Sequence, residues 1–180
     1  MVPSASPGQN RAGNNMSEYV YHFSEDPTIE VFAPRVAPTQ QVDGAYVWAA
    51  DSVRLGPCYW FPRQCPRGTW WPRNGDGPRV HAIQREWLDE FLRAEVFVYR
   101  FDASPFDDFG DGHWVTTQTV RPLDVSPVGP LLDKHRNAGV ELRVVEDLWS
   151  LWLEVIERAD LDFSGIRLKN LPQHPESRAL

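Results

Sequence analysis

Prolines and glycines interrupt this sequence so often that its helices and strands must be short. The chain holds 16 prolines and 12 glycines among its 180 residues. Proline ends a helix because it lacks an N–H donor, and glycine favours turns because it adopts positive φ at little cost. The fold is therefore expected to consist of short elements joined by many turns.

Length and composition indicate one folded domain. A chain of 180 residues can bury a sizeable core, and 12% aromatic residues exclude a wholly disordered chain. We predict a disordered segment at 1–16, a single α+β domain at 17–171 and a polar tail at 172–180. No apolar run approaches the roughly 20 residues that cross a bilayer, and the N-terminus lacks an apolar signal segment. A cytoplasmic protein without membrane contact is expected.

Apolar patterning places strands along most of the domain and helices between some of them. Strands are predicted at 19–23, 45–49, 68–71, 79–83, 94–101, 114–117, 119–125 and 140–144, with 28–32 a strand or an extended segment. Helices are predicted at 84–92, 128–137 and 147–159, and a less regular one within 51–61. This order indicates an α+β fold instead of regular βαβ alternation. Neither a Gly-x-Gly-x-x-Gly motif nor a Walker loop is present, so no Rossmann or P-loop nucleotide site is indicated.

His22 and Ser24 are candidate ligand-binding residues at the end of the first predicted strand. Side chains alternate along a strand, so these two project from the same face. An imidazole beside a hydroxyl can bind a polar group such as a ribose. The alternative is a structural histidine whose hydrogen bonds are satisfied within the fold.

Arginines and aromatic residues are concentrated between residues 54 and 85. This segment contains six arginines and one acidic residue, Asp76, together with Tyr59, Trp60, Phe61, Trp70 and Trp71. Guanidinium groups bind phosphate or carboxylate, and aromatic faces accept rings, so the mixture suits a nucleotide. The alternative is that the arginines solvate the surface while the aromatic residues fill the core. The net charge of −7 argues against general nucleic-acid binding.

Two other clusters lack the spacing of known sites. Acidic residues at 102, 107, 108 and 111, with His113, do not follow the EF-hand pattern, so a solvated loop and no metal are expected. Cys58 and Cys65 fit no zinc motif and are expected to be reduced.

Several segments resemble an uncharacterised bacterial family of unknown function. They are Tyr-His-Phe-Ser-Glu-Asp-Pro at 21–27, Val-Trp-Ala at 47–49, Tyr-Trp-Phe-Pro-Arg at 59–63, Cys-Pro-Arg at 65–67, Val-Tyr-Arg-Phe at 98–101 and Phe-Ser-Gly-Ile-Arg at 163–167. The resemblance covers nearly all of 19–171. It implies no function.

The layout is more distantly similar to the ADP-ribosyltransferase fold, particularly to its small bacterial members that modify rifamycin. The likeness rests on residues 21–24, on the apolar strand at 45–49 that leads to Tyr59, and on residues 117–123. It implies a split β-sheet core with peripheral helices and NAD as the bound substrate. By this similarity His22 binds the nicotinamide ribose, Tyr59 stacks on the nicotinamide and Gln118 stands where the wider superfamily has its catalytic glutamate.

The same similarity supplies a set of site residues. The cofactor-binding candidates are His22, Ser24, Tyr59, Arg63 and Arg67. Cleavage of NAD passes through an oxocarbenium-like transition state, which a carboxylate stabilises. Gln118 is neutral, so Asp107 or Asp108 from the acidic loop is the candidate substitute.

Two functions follow, and a small-molecule nucleotide is the expected ligand. The first is transfer of ADP-ribose to an unknown acceptor, or nicotinamide cleavage ahead of it. It predicts that His22 and Tyr59 line one cleft with arginines of the 54–85 segment. The second is a non-catalytic nucleotide- or anion-binding protein with an aromatic–arginine pocket. A structural module would instead present an exposed apolar patch and no deep pocket.

Overall fold

Ten strands and three α-helices, none longer than nine residues, form the part of the chain that the computed structural model describes, residues 18–36 and 43–175. The strands are β1 (Tyr19–Ser24), β2 (Val47–Ala50), β3 (Arg67–Pro72), β4 (Val80–Gln84), β5 (Phe97–Asp102), β6 (Asp107–Gly110), β7 (His113–Thr116), β8 (Asp124–Pro127), β9 (Glu141–Val145) and β10 (Leu161–Ile166). The helices are α1 (Leu88–Arg93), α2 (Leu131–Asn137) and α3 (Leu148–Ile156). The predicted disordered segment 1–16 lies outside the described residues.

The strands form two separate sheets. The first has six strands in the order β6-β7-β2-β1-β5-β8, and all its neighbours are antiparallel. The second has four strands in the order β10-β3-β4-β9, with β4 and β9 parallel. The second sheet is built from two parts of the chain, the part between β2 and β5 and the C-terminal part. Its strands do not pair with those of the first sheet.

Each sheet has its own apolar core. On one face of the first sheet, Val20, Tyr99 and Trp114 are buried, and Phe32 packs over them. Helix α3 covers the outer face of the second sheet, where its Trp152 lies against β3 and β10.

The segment between β2 and β3 fills the space between the two sheets. Its Leu55 and Cys58 are buried with Ala50 of β2, and its Phe61 packs with Phe91 of α1. The Cys58 thiol lies 3.1 Å from the hydroxyl of Thr69 on β3. This segment therefore links the first sheet to the second.

The mixed α+β class predicted from the sequence is confirmed, and most strand positions are correct. The helix predicted within 51–61 is only a 3-10 turn, Gly56–Tyr59, because the Gly56-Pro57 pair interrupts regular helix. The strand predicted at 119–125 begins only at Asp124, and residues 28–32 contribute one bridge, between Phe32 and Val120. Strands β6 and β10 were not predicted, and the residues of β6 were expected to lie in a solvated loop.

Candidate functional site

The structure separates the residues that the ADP-ribosyltransferase resemblance places around NAD. The His22 ring packs against Phe32, with 5.0 Å between ring centroids. The next residue, Phe23, stacks on Tyr59 at 5.9 Å. Because successive residues of a strand project from opposite faces, His22 and Tyr59 lie on opposite faces of the first sheet. The prediction of one cleft lined by both is wrong.

His22 lies where β1 and β2 separate. The two strands share one registered pair, Tyr21 with Ala50, and His22 Nδ1 then bonds to the Trp48 carbonyl at 3.0 Å. A carbonyl only accepts, so Nδ1 carries the proton. Burial lowers the pKa of His22, and the charges of Arg35 and Arg63 lower it further. His22 is therefore neutral, with an Nε2 lone pair that has no partner in the described part of the chain.

Two other residues assigned to the cofactor near His22 have local backbone contacts. The Ser24 hydroxyl accepts a hydrogen bond from the Asp26 amide at 3.1 Å, in the turn that follows β1. Arg63 is exposed, and its backbone amide donates to Glu25 at 3.2 Å. Arg63 thus lies near the end of β1 with its guanidinium toward solvent.

Arg67 holds a loop and does not face an open pocket. Its side chain is 3% exposed, Nε donates to the Cys58 carbonyl at 2.9 Å and Nη1 to the Cys65 carbonyl at 3.0 Å. The guanidinium also packs on the rings of Tyr59 and Phe61. These contacts close the loop between the two cysteines, so the prediction that Arg67 binds a cofactor is replaced by a structural role.

Two of the three candidate catalytic residues lie away from His22. Asp107 and Asp108 are exposed on the edge strand β6, three strand positions from β1. At roughly 4.8 Å per strand this is about 14 Å, too far for a carboxylate to reach a ribose held by His22. Gln118 follows β7 and lines a groove of about 330 Å³ with Asp102 and Arg121.

The two cysteines are buried free thiols. Burial raises the pKa of the Cys65 thiol to about 12 and also raises that of Cys58. Thiols react as thiolates, so neither cysteine has the properties of a nucleophile.

A polar cleft between the two sheets gathers arginines of the 54–85 segment. Its volume is about 410 Å³. Its lining residues are Arg54, Leu55, Trp71, Arg73, Asp111, His113, Asp162, Phe163 and Ser164. We refer to this site as the inter-sheet cleft.

Strand pairing places the second-sheet residues of the cleft side by side. Trp71 on β3 is the register partner of Asp162 on β10, and Thr69 is the partner of Ser164. Opposed residues of an antiparallel pair project from the same face. The aromatic ring and the carboxylate therefore enter the cleft as neighbours.

A tight turn brings Asp111 to the cleft from the first sheet. Asp111 has a positive φ of 54°, and the glycines on both sides of it also have positive φ. At Gly112 a Cβ would lie 2.9 Å from Asp51 Oδ2, so a side chain there meets both strain and collision. The Asp51 amide donates to the Gly112 carbonyl at 2.9 Å, and this hydrogen bond holds the turn against the segment between β2 and β3.

Two arginines and two carboxylates interact across the cleft. Arg54 Nη2 lies 3.2 Å from Asp111 and 3.4 Å from Asp162, so it spans both sheets. Arg73 Nε lies 3.1 Å from Asp162 and donates to the Leu161 carbonyl at 3.1 Å. Because these pairs are substantially exposed, they contribute little to stability.

The cleft retains polar groups that no protein group uses. In residues 18–36 and 43–175, Nη1 and Nη2 of Arg73, the Ser164 hydroxyl and the His113 ring nitrogens make no hydrogen bond with the protein. Arg79 lies with its guanidinium 4.1 Å from the centre of the Trp71 ring. The arrangement can bind an anionic group, a polar group and a ring at the same time.

Sequence reasoning found only part of this site. Arg54, Arg73 and Trp71 belong to the predicted arginine–aromatic segment. Asp111 and His113 were noticed as an acidic cluster, although the structure turns them toward the arginines. Asp162 and Ser164 were missed because β10 was not predicted, and no signal near them in the sequence indicates a site.

Neither a cluster of metal-ligating side chains nor a bilayer-crossing helix is present in the described ranges. Within 18–36 and 43–175, no group of three or more His, Cys, Asp or Glu side chains is arranged to hold a metal ion. Across the same residues, the helices are too short or too polar to cross a bilayer.

Comparison with known proteins gives a family and no function. A family model described as "Family of unknown function (DUF6886)" matches residues 21–171. The chain belongs to this family. The match covers the second sheet, the first sheet except Tyr19 and Val20, and all the residues that line the inter-sheet cleft. Neither curated proteins nor solved structures gave a match.

Proposed function

We propose that this chain binds an anionic small molecule with an aromatic ring, of the nucleotide class, in the inter-sheet cleft. The observation that carries the proposal is the position of Trp71 beside Arg73, whose two terminal nitrogens are free of protein partners. A guanidinium with a free edge can hold a phosphate through two parallel hydrogen bonds. The volume of about 410 Å³ lies in the range of small-molecule sites, roughly 300–1,000 Å³.

The variant Arg73→Ala is expected to bind nucleotides more weakly than the wild type. A hydrogen bond to a charged group contributes about 1.5–3 kcal/mol, so we expect affinity to fall by about tenfold or more. Isothermal titration with the four ribonucleoside monophosphates measures it. Arg136→Ala is the matched control, because it removes an arginine whose side chain is 69% exposed on α2, outside the cleft. Equal losses in both variants, or no binding to the wild type, contradict the proposal.

A second candidate function is NAD binding at His22, as the ADP-ribosyltransferase resemblance implies. The observation that favours it is the neutral His22 with a free Nε2 acceptor, close enough to Arg35 and Arg63 for their charges to act on it. Such an acceptor suits a ribose hydroxyl, and the two guanidinium groups suit the diphosphate. This second proposal includes the split β-sheet core of the ADP-ribosyltransferase fold. The two separate sheets are compatible with such a core. The distant Asp107 and Asp108 give no support to turnover.

His22→Asn separates the two candidates. The asparagine amide reaches the position of Nδ1 and keeps a donor for the Trp48 carbonyl, while the Nε2 acceptor is lost. If NAD binds at His22, its thermal shift disappears in His22→Asn and persists in Arg73→Ala. The reverse pattern places the nucleotide in the inter-sheet cleft, and nicotinamide release by the wild type tests for turnover. A thermal shift that persists in both variants excludes both sites.

A further inference from the structure

Asp162 keeps unused hydrogen-bonding capacity inside the inter-sheet cleft. An ionised carboxylate offers about four lone-pair positions on its two oxygens. Arg54 Nη2 donates to Oδ2 at 3.4 Å, whereas Arg73 Nε lies 3.1 Å from Oδ1 as an ion pair and donates its single N–H to the Leu161 carbonyl. The side chain is 30% exposed, against 82% for Asp111 at the rim. Each Asp162 oxygen can therefore accept one further hydroxyl.

Because Asp162 lies beside Trp71, a ligand that contacts both must carry its hydroxyl groups close to its ring. The two residues are direct cross-strand partners, so their Cβ atoms are about 4.5–5.5 Å apart. A nucleoside has the same arrangement, because its ribose is attached directly to its ring. Arg79 packs on the indole at 4.1 Å and is not one of the lining residues, so it holds the ring in place from outside the cavity.

A simple anion fits this cleft less well than a ligand with hydroxyl donors. Asp162 repels phosphate, and its ion pairs with Arg54 and Arg73 offset part of their positive charge. A ligand that donates hydroxyls to the carboxylate converts that repulsion into attraction. Its phosphate is then free to bind the remaining N–H groups of Arg73 and Arg54.

We propose that the ligand of the inter-sheet cleft is a ribonucleotide whose 2′- and 3′-hydroxyls donate to the two oxygens of Asp162. The ring lies against Trp71 and the phosphate against Arg73 and Arg54. Asp162 is then the residue that selects ribonucleotides over 2′-deoxyribonucleotides. This inference rests on the proposed function and specifies the ligand of that site.

The test compares each ribonucleoside monophosphate with its 2′-deoxy counterpart and with inorganic phosphate, by titration calorimetry on the full chain. In the wild type the ribonucleotide should bind about tenfold or more tightly than the deoxynucleotide, the effect of one hydrogen bond to a charged group. In Asp162→Asn this preference should fall toward one, while inorganic phosphate binds at least as tightly as before because a negative charge is gone. Asp111→Asn removes the same charge from the rim and should keep the preference.

Three failures are distinguishable. Equal binding of ribo- and deoxynucleotides, still lost in Arg73→Ala, overturns the assignment of Asp162 and leaves nucleotide binding in place. Absence of binding by all the nucleotides overturns the inference and the proposed function together. A preference that persists in Asp162→Asn also overturns the assignment, because another group then reads the hydroxyl.

Discussion

Trp152→Ala is expected to lower the free energy of unfolding by about 3–5 kcal/mol, the usual cost of removing a buried tryptophan. The Trp152 side chain on α3 is 8% exposed and lies over two glycines, Gly68 and Gly165, which are register partners on β3 and β10. A Cβ would lie 2.9 Å from the indole at Gly68 and 2.7 Å from it at Gly165. The indole of Trp152 therefore occupies a slot that exists because neither glycine has a side chain.

Urea unfolding monitored by circular dichroism measures this effect. Leu153→Ala is the control, because that neighbouring side chain is 44% exposed and its loss should change stability by no more than about 0.5 kcal/mol. Similar losses in the two variants would show that the slot does not anchor α3 to the second sheet. Since β3 and β10 also carry Trp71 and Asp162, Trp152→Ala should weaken ligand binding in the inter-sheet cleft as well.

Sequence patterns correctly predicted the strands and helices that are specified by local signals, such as a continuous apolar run or a helix cap. The apolar run at 94–101 contains β5, and the helix predicted from Asp147 begins at Leu148 with Asp147 as its cap, accepting from the Ser150 amide at 3.0 Å. Strand β10 was missed because Leu161–Ile166 mixes polar, small and aromatic residues and leaves Phe163 40% exposed. Its pairing with β3 depends on the slot for Trp152, which is a tertiary contact.

The candidate site shows the same division. The arginine–aromatic segment was visible in the sequence, but its partner Asp162 is 108 residues from Arg54 and is brought there only by the β3–β10 pairing. The separation of His22 from Tyr59 follows from strand alternation, since Phe23 is the residue that meets Tyr59. The sequence does not say which face of β1 the segment after β2 will cover, and this choice decides which side chains share a pocket.

A fall in pH from 7 to 5 is expected to destabilise the protein through a buried histidine pair. His81 Nδ1 lies 2.9 Å from His135 Nε2, and His135 Nδ1 lies 2.7 Å from the Leu131 carbonyl. The carbonyl only accepts, so His135 Nδ1 carries a proton, its Nε2 accepts, and His81 donates from Nδ1. His81 Nε2 is then a buried acceptor with no partner. Both rings are neutral in this arrangement.

The direction of the pH effect follows from the pKa shifts. Burial lowers the pKa of both histidines, and that of His81 falls well below 6.5 because His135 and the charges of Arg79 and Arg67 also act on it. Below pH 6.5 the unfolded chain takes up protons that the folded chain does not. The stabilisation is therefore complete above the unfolded pKa and is lost as pH falls toward the folded pKa, by up to about 1.4 kcal/mol per pH unit for each histidine.

His81→Asn isolates the contribution of the pair. The asparagine amide keeps a donor near His135 Nε2 and removes one titrating group, so the slope of unfolding free energy against pH should decrease by up to about 1.4 kcal/mol per unit between pH 6.5 and 5. A residual slope remains, because burial also lowers the pKa of His135 and of His22. Val155→Ala is the control: it removes buried volume from α3 but no titrating group, so its curve should lie below that of the wild type and parallel to it. Urea midpoints at half-unit pH steps give the three curves, and equal slopes for the wild type and His81→Asn would show that His81 accepts a proton in the folded protein as readily as in the unfolded chain.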